Sequence, residues 1–318
     1  MHVTEADGVF QARGAKAIAL AGALLGFAER GYSRWVNLAG TGSGALAAAY
    51  LACGYDAYDA ELLLRSAPYS RFEDHGPGGP LFGGGWNLLR RGGLARGEYL
   101  RAWLADQLDG RTFGSLGRNG RTQLKVIAAD VTRRRPVVFP DDLSGYRLPG
   151  NDMPIDPAAF QVAEAVRLSM LSPYLFEPGI LVHHETALPS EIVGGLVPAP
   201  VSLFDALDRP LRPTFGVRAE GSRGSAAQGR RPLKLVSAAF DTALEAWDPR
   251  FAPPSALLRT CIVPPGEVES SELAPTPLEQ TELVERGRRA ARRFLDSFDV
   301  DAYRNAHGRR LTAEVPAY

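Results

Sequence analysis

The stretch AGTGSGALAAAY, residues 39–50, determines the fold that the rest of the sequence predicts. It overlaps WVNLAG, residues 35–40, which has the length and composition of a short buried strand. Glycines at 40, 42 and 44 then predict a turn too tight for side chains. The apolar run from Ser43 to Cys53 predicts a buried helix. A strand, a glycine turn and a buried helix in succession form half of a parallel α/β unit.

Apolar runs and helical patterns alternate along the remainder of the chain. We expect helices over 16–30, 97–108, 159–171 and 279–298, and strands over 124–130, 135–140, 191–197 and 213–218. The arginines of the last helix favour a solvated face over a binding patch. Segments 71–86 and 221–232, rich in glycine with proline or serine, predict flexible loops. The sequence shows no repeat and no interdomain linker, so we expect one α/β domain over 1–318, with its core at about 8–300.

Composition excludes several classes of function. The formal net charge of +0 gives no support for nucleic-acid binding. Two cysteines make neither a disulfide framework nor a metal cluster, and Cys53, in an apolar run, is expected to be a buried structural thiol. No dinucleotide motif is present, so we predict neither a metal nor a cofactor. The acidic N-terminus and the lack of a long apolar stretch predict a cytoplasmic protein.

The pattern around residue 42 is typical of a nucleophile elbow. In such an elbow a strand ends in a sharp turn, a serine sits at its tip, and a helix begins at once. The serine Oγ is then exposed, and the helix N-terminus stabilises the negative charge that develops during acyl transfer. The residues before Gly40 and after Gly44 fit this context.

Several blocks together resemble the patatin-like phospholipases along nearly the whole chain. The similar blocks, in order, are VFQARGAKAIALAGAL (9–24), LAGTGSGALAAAYLACGY (38–55), AADVTRRRPVVFP (128–140), AVRLSMLSPYLFEP (165–178), VGGLVPAPVSLF (193–204) and LVERGRRAARRFL (283–295). The resemblance implies a three-layer α/β/α fold with a mainly parallel central sheet. It also implies a serine acyl hydrolase with a Ser–Asp dyad and a glycine-rich oxyanion loop, acting on lipid or acyl ligands, with a membrane surface as a partner by analogy only.

All three catalytic elements of the family depart from its pattern here. The family's A-G-T-S-x-G-A-L places Gly42 in the nucleophile slot and Ser43 one residue later. Its D-G-G or D-G-A block becomes Val193-Gly194-Gly195, with valine in the acid slot. Its G-G-G-x-R/K-G loop becomes residues 12–17, which keep Gly14 and Lys16 but carry Arg13 in place of a glycine.

Ser43 remains a candidate for a displaced nucleophile, together with the elbow glycines. One step along a helix turns a side chain by about 100°, which aims Ser43 away from the usual direction. It would also need a base. His183 and His184, expected in a turn between strands before Val193, are candidates for that base, and Asp130 and Asp205 have no positional support. We favour a helix N-cap or first-turn role for Ser43, where serine is common in any case.

The basic residues of the opening loop have two interpretations. Lys16 presents charge to an anionic ligand beside a helix N-terminus, or it is a surface lysine; both interpretations stay open. Arg13, together with Lys16, could bind a carboxylate or phosphate, although drift to a solvent-facing residue is slightly favoured.

The sequence therefore predicts a patatin-like protein that has lost the usual dyad and binds a lipid or acyl ligand without hydrolysing it, or has a regulatory role. A hydrolase or acyltransferase built on Ser43, and a pocket with different chemistry, are the alternatives. The sequence gives no information on protein partners or oligomeric state.

Overall fold

The computed structural model describes residues 4–72, 74, 93–116, 122–204, 212–220, 253–264, 275–303 and 305. The strands in these residues are β1 (Glu5–Ala12), β2 (Arg34–Gly42), β3 (Gly93–Ala95), β4 (Gln123–Asp130), β5 (Arg135–Phe139), β6 (Tyr146–Arg147), β7 (Tyr174–Phe176), β8 (Gly179–His183), β9 (Pro189–Val193), β10 (Thr214–Ala219) and β11 (Thr260–Val263). The α-helices are α1 (Ala17–Glu29), α2 (Ser43–Ala52), α3 (Ala57–Ser66), α4 (Glu98–Gln107), α5 (Val162–Met170), α6 (Pro254–Leu257) and α7 (Pro277–Ser297).

The strands form one mixed, mainly parallel sheet, as the sequence predicts. The order across the described nine-stranded sheet is β11-β10-β1-β2-β4-β9-β8-β6, and β5 also pairs with β4. The pairs from β11 through β4 are parallel, whereas β5, β9, β8 and β6 pair antiparallel with their neighbours. Strands β3 and β7 form a separate two-stranded sheet. The α/β fold class is confirmed.

Strand β4 brings two strand ends together. Its residues 126–130 pair with β5 along one edge. Along the other edge it pairs first with β2, with Thr41 opposite Ile127, and then with β9, with Val193 opposite Ala129. Because β2 runs parallel and β9 antiparallel to β4, their C-terminal ends approach each other on the same edge. Ile127 and Ala129 are two residues apart, about 7 Å along the strand.

The main core lies on the sheet face that α1, α2, α5 and α7 cover. Helix α1 is buried from Ala17 to Phe27, which explains a sequence that is apolar on nearly every side. A smaller apolar cluster of Val9, Ala39, Ile127 and Phe204 lies on the other face, beneath the 3₁₀ helix Val201–Phe204.

Helices α1 and α7 approach so closely that their contact positions require glycine. A Cβ on Gly22 would overlap the backbone carbonyl of Val284, and one on Gly287 would overlap that of Ala19. At one end of this contact, the Glu29 carboxylate accepts hydrogen bonds from Arg288 and Arg292. These two arginines belong to an ion-paired interface, so the expected solvated face covers only part of the helix.

The helices expected over 16–30, 97–108, 159–171 and 279–298 are confirmed with small shifts at their ends. The strand expected over 191–197 is wrong beyond Val193, because Gly195 adopts a left-handed φ of 73° and turns the chain. Cys53 is half-buried rather than buried, whereas Cys261 is buried. Burial raises the pKa of both thiols. Most of the expected loop 71–86, and all of 221–232, lie outside the described residues.

No helix in the described ranges is long and apolar enough to cross a bilayer.

Gly22→Ala tests the close approach of α1 and α7. We expect a loss of about 3 kcal/mol in the free energy of unfolding, since the new methyl group must push the α7 backbone away. The measurement is the urea midpoint and slope. Gly145→Ala is the matched control, because a Cβ there meets nothing within 4 Å, and it should change stability by less than about 0.5 kcal/mol. Equal stability of the two variants would contradict this packing.

Candidate functional site

The end of β2 has the geometry of a nucleophile elbow, with Gly42 at its tip. Gly42 has φ 60° and ψ −138°, a backbone conformation that residues other than glycine adopt only under strain. Ser43, the next residue, begins α2. A Cβ on Gly40 would lie 2.5 Å from the Cα of Ala45, and a Cβ on Gly44 would overlap the carbonyl of Phe10. The turn from strand to helix therefore depends on glycine.

The end of β1 lies against this tip. Ala12, the last residue of β1, lies opposite Gly42 in the parallel register. Gly14 then takes a φ of 50°, and a 3₁₀ helix over Gly14–Lys16 leads into α1. The carbonyl oxygen of Ala12 lies 2.4 Å from the position that a Cβ on Gly42 would take. The end of β1 therefore leaves no room for a side chain at the tip.

Val193 lies close to the elbow through the convergence of β2 and β9 on β4. Its side chain is buried and lies on the same sheet face as Ala129 and Ile127. Gly194 follows with its N–H donating to the carbonyl of Leu171, and a Cβ at Gly194 would overlap the carbonyl of Ser169. The valine–glycine–glycine block is therefore packed against the end of α5, beside the elbow.

Ser169 links these elements. Its hydroxyl accepts a hydrogen bond from the N–H of Gly42 at 3.0 Å and donates one to the carbonyl of Ile127 at 2.6 Å. The side chain is fully buried in α5. This helix was predicted from the sequence, but the role of Ser169 was missed. The available signal was a serine among the apolar residues of an amphipathic helix.

Ser43 is the first residue of α2, as expected, but its side chain makes no capping bond. It is 1% exposed, and its Oγ has no hydrogen-bond partner among the described residues. An activated nucleophile requires a base within hydrogen-bond distance, about 2.6–3.2 Å. The described part of the chain provides no such group to this hydroxyl.

The candidate bases lie elsewhere or are occupied. His183 and His184 lie, as expected, in a turn between strands, where β8 ends and the chain turns into β9. Strand β9 then runs from this turn toward the elbow. From the position opposite His183 to Val193, β9 extends five residues, about 17 Å. Burial and the charge of Arg133 lower the pKa of His183. Asp205 lies outside the described residues.

Asp130 belongs to a separate buried network. Its carboxylate accepts hydrogen bonds from the Tyr146 hydroxyl and from the backbone N–H of Arg133, both at 2.9 Å. It neighbours Ala129 in β4, so its side chain points to the opposite face from that of Val193. Burial raises the pKa of Tyr146, so the hydroxyl stays protonated and can donate to Asp130. The network stabilises the end of β4.

The two basic residues of the opening loop are both half-buried between β1 and α1. Arg13 and Lys16 each have an interaction partner, so neither is a free cation beside the elbow. Within the described ranges, no three histidine, cysteine or acidic side chains are arranged to hold a metal ion.

Comparisons with known proteins agree with this geometry. The family profile described as patatin-like phospholipase matches residues 8–205. The uncharacterized protein YqhO of Bacillus subtilis strain 168 is 32% identical over 294 residues, which cover 91% of this chain and 97% of YqhO.

Two solved structures match most of the chain at low sequence identity. VipD from Legionella pneumophila matches with a TM-score of 0.56 at 18% identity, over 92% of this chain and 67% of VipD. ExoU from Pseudomonas aeruginosa, in complex with SpcU, matches with a TM-score of 0.46 at 17% identity, over 93% of this chain and 53% of ExoU.

Ser169→Ala tests the link between α5, β2 and β4. The change leaves the N–H of Gly42 and the carbonyl of Ile127 without their buried partner, so we expect a loss of about 1–3 kcal/mol in unfolding free energy. Hydrogen exchange of the Gly42 amide should become faster as well.

Ser66→Ala is the matched control, because the exposed Ser66 hydroxyl bonds only to the Leu63 carbonyl. It should change stability by less than about 0.5 kcal/mol. If the Gly42 amide stays equally protected in Ser169→Ala, the link does not hold the elbow.

Proposed function

The chain belongs to the patatin-like phospholipase family, and from that premise we propose that it is a non-hydrolytic member that binds a lipid or acyl ligand. The family description implies lipid substrates. Fold alone does not fix function, so the proposal rests on the residues at the elbow.

The observation that carries the proposal is the composition of the elbow tip. Gly42 has no side chain, and the carbonyl oxygen of Ala12 occupies the space that a Cβ would need. A nucleophile at this position requires both a side chain and room for it. In the best-studied serine hydrolase, loss of the serine lowers kcat on the order of 10⁶-fold.

Val193 supports the same conclusion from the other strand. An acid at the end of β9 would lie within reach of the elbow, because β2 and β9 converge on β4. Valine has no atom that can accept a proton or orient a base. Gly42 therefore cannot act as a nucleophile, and Val193 cannot activate one.

The surroundings of the elbow suit an apolar ligand. Val193 lies on the sheet face of the small apolar cluster that contains Ile127 and Ala39. Val197, Ala199 and Leu203 pack against that cluster from the segment after β9. Side chains of this kind are typical of the residues that contact small lipid-like molecules.

Two measurements test the proposal. Turnover of phospholipid and p-nitrophenyl butyrate should stay at the buffer rate, and native mass spectrometry of the purified protein should detect a bound lipid or fatty acid. Steady turnover that Ser43→Ala abolishes would replace the proposal with a displaced-nucleophile hydrolase. Absence of any bound or exchangeable lipid would remove the ligand-binding part.

A further prediction concerns the variant that carries the family's serine and aspartate at positions 42 and 193. Gly42→Ser with Val193→Asp should not give a working hydrolase, because the Ala12 carbonyl blocks the new Cβ. We expect ester turnover no faster than wild type, and a stability loss of about 1–3 kcal/mol from the strained φ alone. The readouts are p-nitrophenyl butyrate hydrolysis and the urea midpoint.

Val193→Asp alone controls for the added charge. If the double variant turned over ester at more than about tenfold the wild-type rate, the Ala12 carbonyl would not be an obstacle, and the identity of residues 42 and 193 alone would explain inactivity.

A further inference from the structure

A second candidate site lies between α7 and β11. Strand β11 is an edge strand of the described sheet, and α7 packs beside it. A cavity of about 560 Å³ lies between them, and this volume is in the range of small-molecule sites. Ile262 of β11 and Phe294 of α7 form apolar walls, and Arg289 and Arg293 line the cavity from α7. Three strand spacings, about 14 Å, separate β11 from the elbow strand β2.

Four of the five arginines of α7 form two pairs with different surroundings. The fifth, Arg286, also lines the cavity and has an interaction partner. Arg288 and Arg292 both bond to Glu29 at the α1 interface. Arg289 and Arg293, each one residue later, are exposed, and no described residue forms an ion pair or hydrogen bond with either guanidinium. They are four residues apart, so they stand side by side, with Cβ atoms about 6 Å apart. Two like charges at this spacing destabilise a helix slightly, so an anion that binds both is favoured.

We propose that this groove binds a phosphate monoester that carries an apolar group. A guanidinium binds two anion oxygens at once, and a phosphate monoester has three terminal oxygens and close to two negative charges to offer to two arginines. A carboxylate has only two oxygens, which one guanidinium can occupy. Ile262 and Phe294 then accommodate the apolar group attached to the phosphate. The site is separate from the elbow, so it does not depend on the function proposed above.

Isothermal titration with hexyl phosphate, below its micelle concentration, tests the site directly. We expect saturable binding of one ligand per chain, and binding at least about tenfold tighter than that of inorganic phosphate, since burial of two methylenes gives this factor. Arg289→Gln with Arg293→Gln should weaken hexyl phosphate binding at least tenfold. Both side chains are exposed, so the variant should melt at the wild-type temperature.

Arg34→Gln with Arg101→Gln is the matched control, because it removes two exposed arginines outside the groove. It should bind hexyl phosphate within twofold of wild type. The proposal is overturned if no saturable binding occurs, if the groove variant binds as wild type does, or if phosphate and hexyl phosphate bind equally. Binding to phosphatidic acid vesicles without binding to hexyl phosphate would also overturn it, since the arginines would then recognise a charged surface and not a discrete ligand.

Discussion

The hydroxyl of Ser169 connects the N–H of Gly42 to the carbonyl of Ile127, and the geometry of the elbow depends on this connection. Strand β4 provides the edge on which β2 and β9 meet, and α5 provides the serine that ties the tip of β2 to that edge. The same helix packs against Gly194, which follows the end of β9. The side chain of Ser169 thereby joins β2 to β4, and its backbone carbonyl packs against Gly194 beside them.

The sequence predicted the elements whose signals are local. Helices α1 and α2 are apolar on nearly all sides because both are buried, and glycine spacing indicated the turn between β2 and α2. Strand β1 was not predicted as a strand, although it is central to the sheet. Its Asp7 interrupts the apolar pattern and is buried only because Asn37 and Arg212, distant in sequence, bond to its carboxylate. Sequence windows of ordinary length do not contain those partners.

The candidate site also has features that the sequence could predict and features that it could not. Motif spacing was enough to identify Gly42 and Val193 as the positions to compare with the family, and their closeness follows from the strand register. The carbonyl of Ala12 could not be anticipated, because it reaches the tip through the parallel pairing of β1 with β2. The turn that holds His183 and His184 was predicted, but sequence distance from Val193 does not reveal that β9 runs away from this turn toward the elbow.

The central claim is that no activated nucleophile remains at the elbow. The most direct test is intact-mass analysis of the purified protein after treatment with a fluorophosphonate probe, with Ser43→Ala treated alongside. The account predicts no mass shift in either protein, because Gly42 has no side chain and the buried Ser43 hydroxyl has no base among the described residues. A shift by the mass of one probe adduct in the wild type, lost in Ser43→Ala, would contradict it.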